Sequence, residues 1–117
     1  MSQPQYAHSL DAIIAQSEQL KQVRKNELHA GDWIVVVTLN SIYSIRVGEE
    51  GWYTVSGGWF DREGVSPMRT TIAGCTWGGS ILKADIVAAC GLSLEFGNRV
   101  VTSTIQKIFV VPAGEKN

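Results

Sequence analysis

Cysteine, histidine and proline are all scarce in this chain, and the first two shortages each remove a class of reading. Only two cysteines occur among the 117 residues, Cys75 and Cys90, fifteen positions apart, so no CxxC redox or metal motif joins them. Both sit among small apolar residues (Ala-Gly-Cys-Thr-Trp and Ala-Ala-Cys-Gly-Leu), the usual setting of a free buried thiol. A disulfide is the other reading, and it implies export. The two histidines, His8 and His29, have no partner at a spacing that suggests catalysis, and no His, Cys and carboxylate cluster has metal-ligand spacing. Asp85 and Glu95 make a carboxylate pair only if the fold brings them together, and solvated charges are the simpler reading. The sequence therefore predicts no catalytic residues, no metal and no cofactor, and reads as a protein that is not an enzyme.

Neither sign of charge is in excess. Ten basic residues face eleven acidic ones, for a formal net charge of -1. Nucleic-acid binders usually carry surplus Lys and Arg, because neutralised phosphates supply most of their non-specific affinity. Nucleic acid is thus a possible partner through a local patch, and not the favoured one. Long apolar runs are also missing: none approaches the ~20 residues that span a bilayer. The first thirty residues lack a basic start followed by an apolar core, so no export signal is read. A soluble, cytoplasmic protein without a membrane partner is the expectation.

What is present is a globular composition, 44% hydrophobic and 18% charged, at a length suited to one domain. Residues 1–8 read as a flexible lead. Over 9–26, Leu10, Ile13, Ile14 and Leu20 fall near one face at helical spacing, with Ser9 as N-cap and Gln16, Gln19, Gln22 and Lys25 opposite. This predicts an amphipathic helix. After Gly31 the period changes. The β-branched run over 32–39 predicts a buried strand, with Trp33 in the core. Tyr43, Ile45 and Val47 alternate with polar residues, as do Tyr53 and Val55, and short polar turns join the three strands into a meander. Residues 61–64 read as a loop running to Pro67, followed by a strand over 69–76. Leu92, Leu94 and Phe96 alternate before Gly97-Asn98, which predicts a two-residue hairpin turn. A single 3₁₀ turn over 103–106 precedes a last strand over 107–111, and 113–117 form a frayed tail.

The fold class this implies is mainly β: a barrel of six or seven short strands over 32–112, SH3-like or Sm-like, behind one N-terminal helix. The segment Gly74-Cys75-Thr76-Trp77-Gly78-Gly79-Ser80-Ile81, followed by Leu92-Ser93-Leu94-Glu95-Phe96, also resembles a pattern in small bacterial proteins to which no activity is attached. The likeness covers roughly the C-terminal two thirds of the chain. It implies a bacterial source and nothing about mechanism.

The candidate binding residues are Trp52, Trp59, Phe60, Trp77, Gly78, Gly79, Ser80 and Lys83. Trp52, Trp59 and Trp77 each adjoin a glycine, where a backbone or ligand can approach an aromatic platform closely. Either Trp59, Phe60 and Trp77 line a stacking groove, or the rings plug barrel ends and cover a subunit interface. Thr76 to Ser80 with Lys83 forms an anion cradle or simply a glycine-enabled turn; GxxxxGK[ST] spacing is absent. Arg46, Arg62, Arg69, Lys83, Arg99 and Lys107 are basic residues that a barrel can gather on one face. Three functions remain open: a non-catalytic binding or assembly module, homo-oligomeric through its aromatics; a nucleic-acid-binding barrel; and a small-molecule binder.

Overall fold

The computed structural model describes residues 18–77 and 81–113. Ten strands run through them: β1 (Glu18–Leu20), β2 (Gln22–Arg24), β3 (Trp33–Thr38), β4 (Ile42–Val47), β5 (Trp52–Gly57), β6 (Met68–Trp77), β7 (Ile81–Lys83), β8 (Ile86–Ala89), β9 (Ser93–Phe96) and β10 (Ile105–Val111). A 3₁₀ turn (Lys25–Glu27) follows β2, and a short helix α1 (Gly58–Arg62) follows β5. Among the described residues no helix is long and apolar enough to cross a membrane.

The meander forms as alternation dictates. In β4, Tyr43, Ile45 and Val47 are buried while Ile42 and Arg46 are exposed; in β5, Tyr53 and Val55 are buried while Trp52 and Thr54 are exposed. A two-residue period sends alternate side chains to opposite faces, so one face of the sheet meets the core. The strand order is β1-β10-β3-β4-β5-β6-β7, with β9 on β6 and a separate β2-β8 ribbon. The ten-residue β6 serves both halves of the sheet. Its first half pairs with β5 (Trp52↔Thr71, Val55↔Met68) and its second with β9 (Ile72↔Phe96, Thr76↔Ser93). A β-bulge between Ile72 and Gly74 interrupts the ladder to β9, and a bulge bends a strand and sharpens its twist. The sheet curls as a result.

The hydrogen bonding does not stop at β9. The Phe96 N–H donates to Val100 O, Thr102 N–H to Leu94 O and Ile105 N–H to Leu92 O. From there β10 returns to β3, with Ile108 opposite Val36 and Val111 opposite Trp33. Inside lie Ile34, Val36, Ile45, Val55, Phe60, Leu94, Phe96, Ile105 and Ile108, each almost wholly buried. The β8 residues Ile86, Val87, Ala88 and Ala89 are buried as well, and β8 packs on β6, β9 and β10. Two polar devices tie loops to this core. Buried Asp32 accepts hydrogen bonds from the His29 and Ala113 N–H groups, each at 2.8 Å. Ser103 donates to the Thr38 hydroxyl at 2.8 Å, and that hydroxyl also accepts the Ser41 N–H, fixing the β3–β4 turn to the segment before β10.

Several expectations are corrected. The helix over 9–26 does not extend through the described part of its range: 18–20 and 22–24 are extended, and 25–27 are a 3₁₀ turn. The reason is tertiary pairing. β1 supplies β10 with its second neighbour (Glu18↔Val110, Leu20↔Ile108) and β2 pairs with β8, and such ladders override a weak local helical period. The remainder of that range, the lead over 1–8 and the tail over 114–117 lie outside the described residues. Trp33 is half-buried on the outer face, not in the core. Residues 58–62 are helical, so the loop expected from 61 begins only after Arg62, and the segment over 103–106 holds no 3₁₀ turn, β10 beginning at Ile105. The β9 hairpin turns on three residues. Arg99 N–H donates to Phe96 O, and Arg99 itself has φ 73°, the left-handed position that closes a three-residue loop. Gly97 is needed there for space, since a Cβ would meet Thr71 Oγ1.

Candidate functional site

Cross-strand register lines up four side chains over the outer face of the sheet. Trp33 on β3 opposes Arg46 on β4, Arg46 opposes Thr54 on β5, and Thr54 opposes Arg69 on β6. Trp52, two residues before Thr54, opposes Thr71. The next row holds Ser44 opposite Ser56. All of these alternate with buried residues of the same strands, which is what sends them outward.

The row is organised by two cation–π stacks. The Arg46 guanidinium lies 5.5 Å from the Trp33 ring centroid, and that of Arg69 lies 4.2 Å from the Trp52 centroid. At an exposed site each contact is worth about 0.5–1 kcal/mol. That is enough to bias a flexible arginine towards the ring without removing its charge. Among the described residues, the ion contacts are Arg24 with Asp85 and His29 with Asp32, so neither Arg46 nor Arg69 has a carboxylate partner. Between the rings the row contributes Thr54, with Thr71 beside Trp52, and the next row adds the hydroxyls of Ser44 and Ser56 next to the buried Val35. Two unpaired guanidiniums, two indoles and neutral hydroxyls on one face suit an anionic partner that also presents flat or apolar groups.

The residues singled out in the sequence are scattered by the fold. Trp52 belongs to the row. Trp59 is half-buried in α1, edge-on to Phe60 at 5.2 Å, with its N–H reaching the Tyr43 hydroxyl at 3.3 Å. Phe60 is wholly buried and meets Tyr43 and Phe96 edge-on. It packs the core and lines no surface. Trp77 is 66% exposed at the far end of β6, whose Met68 end meets the strand leading into α1. The strand between them spans roughly 30 Å at ~3.3 Å per residue, so a groove of Trp59, Phe60 and Trp77 does not assemble. Lys83 is exposed on β7 opposite Cys75. Gly78, Gly79 and Ser80, and with them the anion cradle, lie outside the described residues. Of the six scattered basic residues, Arg46 and Arg69 come together. Lys107 pairs with Val37 further along β3, Arg62 donates to the Ser41 hydroxyl, and Arg99 sits in the β9 hairpin.

A depression of about 390 Å³ lies elsewhere, lined by Lys25, Leu28, Val47, Glu50 and Tyr53 among others. Neither Trp77 nor Lys83 lines it.

Both cysteines are free. Cys75 is fully buried, its Sγ 3.5 Å from Val87 O, and burial pushes its thiol up to about 11 from 9.0. Burial likewise raises the Tyr53 phenol. Because both folded values exceed the unfolded ones, the Cys75 contribution to stability is complete below about pH 9 and lost as pH climbs towards 11, and the Tyr53 contribution is lost only above its ordinary value of 10.0. For Cys75 alone the loss is on the order of 2 kcal/mol. Urea midpoints should therefore be level from pH 7 to 8.5 and fall above pH 9. In Cys75→Ala the fall should be shallower, leaving the Tyr53 part; an identical slope in the two proteins would refute the assignment to Cys75.

No protein-family model, curated protein or solved structure matches this chain.

Proposed function

We propose that this protein is a non-catalytic binding module on a small SH3-like or Sm-like barrel, and that its outer face from Trp33 to Arg69 holds an anionic partner. The barrel reading is supported by the hydrogen bonds that carry the sheet from β9 through residues 100–105 into β10 and on to β3. One observation carries the binding reading: two arginines held over tryptophans, with no carboxylate among the described residues to neutralise them. A protein gains little from two unpaired surface charges in one row. A partner with negative charge gains from both.

The test is a nuclear magnetic resonance titration of the full-length, ¹⁵N-labelled protein with three polyanions: an oligothymidylate, an oligoglutamate and a sulfated oligosaccharide. At least one should shift the Trp33 and Trp52 indole N–H signals and the Arg46 and Arg69 Nε–H signals together. The double variant Arg46→Ala/Arg69→Ala, still folded, should lose those shifts. Shifts confined to other surfaces, or none with any of the three, would refute the reading.

Assembly of copies is the second reading, favoured by the exposure of Trp77 (66%) and Leu82 (48%) on the β6–β7 hairpin at one end of the strand order. A native mass spectrum of the same sample counts the subunits and decides it.

A further inference from the structure

We infer that the partner of the outer face is a single-stranded nucleic acid, bound without preference for base sequence. This rests on the binding reading above and names its ligand class.

The first argument is the shape of the charges. A carboxylate uses only the N–H edge of a guanidinium. Here both guanidiniums lie over indole rings, 5.5 and 4.2 Å from the centroids, so each sets a planar cation beside an aromatic surface. Bases stack on arginine planes and on aromatic rings, while their phosphates take the N–H edges. A nucleic acid strand thus uses all the chemistry of the row, and an acidic peptide uses half of it.

The second argument is spacing. Arg46 and Arg69 are separated by one intervening strand, β5, hence by roughly 10 Å at ~4.8 Å per strand. The exposed Thr54 lies between them, and Ser44 and Ser56 occupy the adjoining row. Short hydroxyls between two cations suit phosphate and sugar oxygens along a strand that crosses the β-strands. Unpaired bases are required, because a base inside a duplex has no face to offer a ring.

The third argument concerns specificity. Side chains that read base edges are chiefly Asn, Gln, Asp, Glu and forked Arg. From β3 to β6 the rows hold no Asn, Gln, Asp or Glu, Gln19 joining the adjoining row only beyond Phe109 of β10, and their two arginines lie over rings. Stacking tolerates any base. The net charge of -1 does not oppose this, since charges beyond about 10 Å are screened at ~0.1 M salt. It does keep the binding modest, with two phosphates neutralised.

The experiment is fluorescence anisotropy of labelled oligothymidylate and oligouridylate of about 12 nucleotides, with the full-length protein, from about 50 to 200 mM salt. Saturable binding is expected, with a log–log salt slope of about −1.4 for two phosphate contacts on a single strand. Tryptophan emission should be quenched as the oligonucleotide is added. Trp52→Ala should weaken binding at least about fivefold, the lower bound for one stacked base. Arg69→Lys should leave the salt slope while losing affinity, because the charge stays and the flat stack goes. Near-ultraviolet circular dichroism confirms that each variant is folded. A matched duplex should bind more weakly than the single strand.

If neither oligonucleotide binds at the lowest salt while oligoglutamate shifts the row, the ligand class is wrong and the binding face stands. If no polyanion reaches the row, both fail. Equal binding of duplex and single strand, or an unchanged affinity in Trp52→Ala, overturns the stacking argument and the inference with it.

Discussion

Phe96→Ala should cost about 3–5 kcal/mol of unfolding free energy, the range for truncating a fully buried phenylalanine. Phe96 is wholly buried at the end of β9. Its ring meets Phe60 edge-on at 5.0 Å and Tyr43 at 5.8 Å, and Phe60 meets Tyr43 at 6.2 Å. These three rings tie β9, α1 and β4 into one corner, so the cavity left by alanine opens where three elements lean on one another. They cannot close on it without breaking two further ring contacts. A domain of this kind has a total stability of about 5–15 kcal/mol, so the variant should stand near its unfolding threshold at room temperature. Guanidinium denaturation measures the loss. Phe96→Leu should recover most of it, with a cost nearer 1–1.5 kcal/mol. A loss below about 1.5 kcal/mol in Phe96→Ala would mean that the corner is not a structural hub.

Gly74→Ala is the second large effect, and its cause is backbone crowding. Gly74 has φ 146°, and a Cβ there would lie 2.4 Å from Lys83 O and 2.9 Å from Ala84 Cα. Those are main-chain atoms of the segment that pairs with β6 through Cys75↔Lys83, so no side chain can swing aside. The bulge in the β6–β9 ladder, which bends β6, lies at this point. Conformational strain and the clash add, and a loss of about 3 kcal/mol or more is expected. Calorimetry would show it as a lowered Tm, and hydrogen exchange should place the fastest new opening in β7. A loss under about 1 kcal/mol would show that β7 shifts freely and does not brace the bulge.

The meander was readable because it obeys the simplest rule. Tyr43, Ile45, Val47, Tyr53 and Val55 alternate without interruption and all five are buried, and polar turns mark where β3, β4 and β5 stop. The fold departs from its sequence expectation where elements are short. β1, β2, β7 and β8 have three or four residues each, too few to display a period, and their conformation is set by partners far along the chain. Leu20 fits a helical face and a strand equally well, and the pairing of β1 with β10 decides between them. The candidate face was half legible. Arg46 and Arg69 are visible as basic residues on strands, but only register shows that Thr54 aligns them. Trp33 looked like core because it opens the apolar run Ile34, Val35, Val36, whereas its own position in the pleat turns it outward.

The pairing of β3 with β10 also bears on how the chain is made. β3 is the most aggregation-prone stretch of the protein, a run of β-branched residues with no charge. One of its edges is satisfied early, by β4 a few residues later. The other waits for Ile105 to Val111, which leave the ribosome last among the strands. Through most of synthesis, then, the nascent chain carries a finished meander with a bare valine edge. Any factor that delays residues 105–111 prolongs that exposure, and a product stalled or truncated before β10 should be far more prone to clump than a chain that includes it.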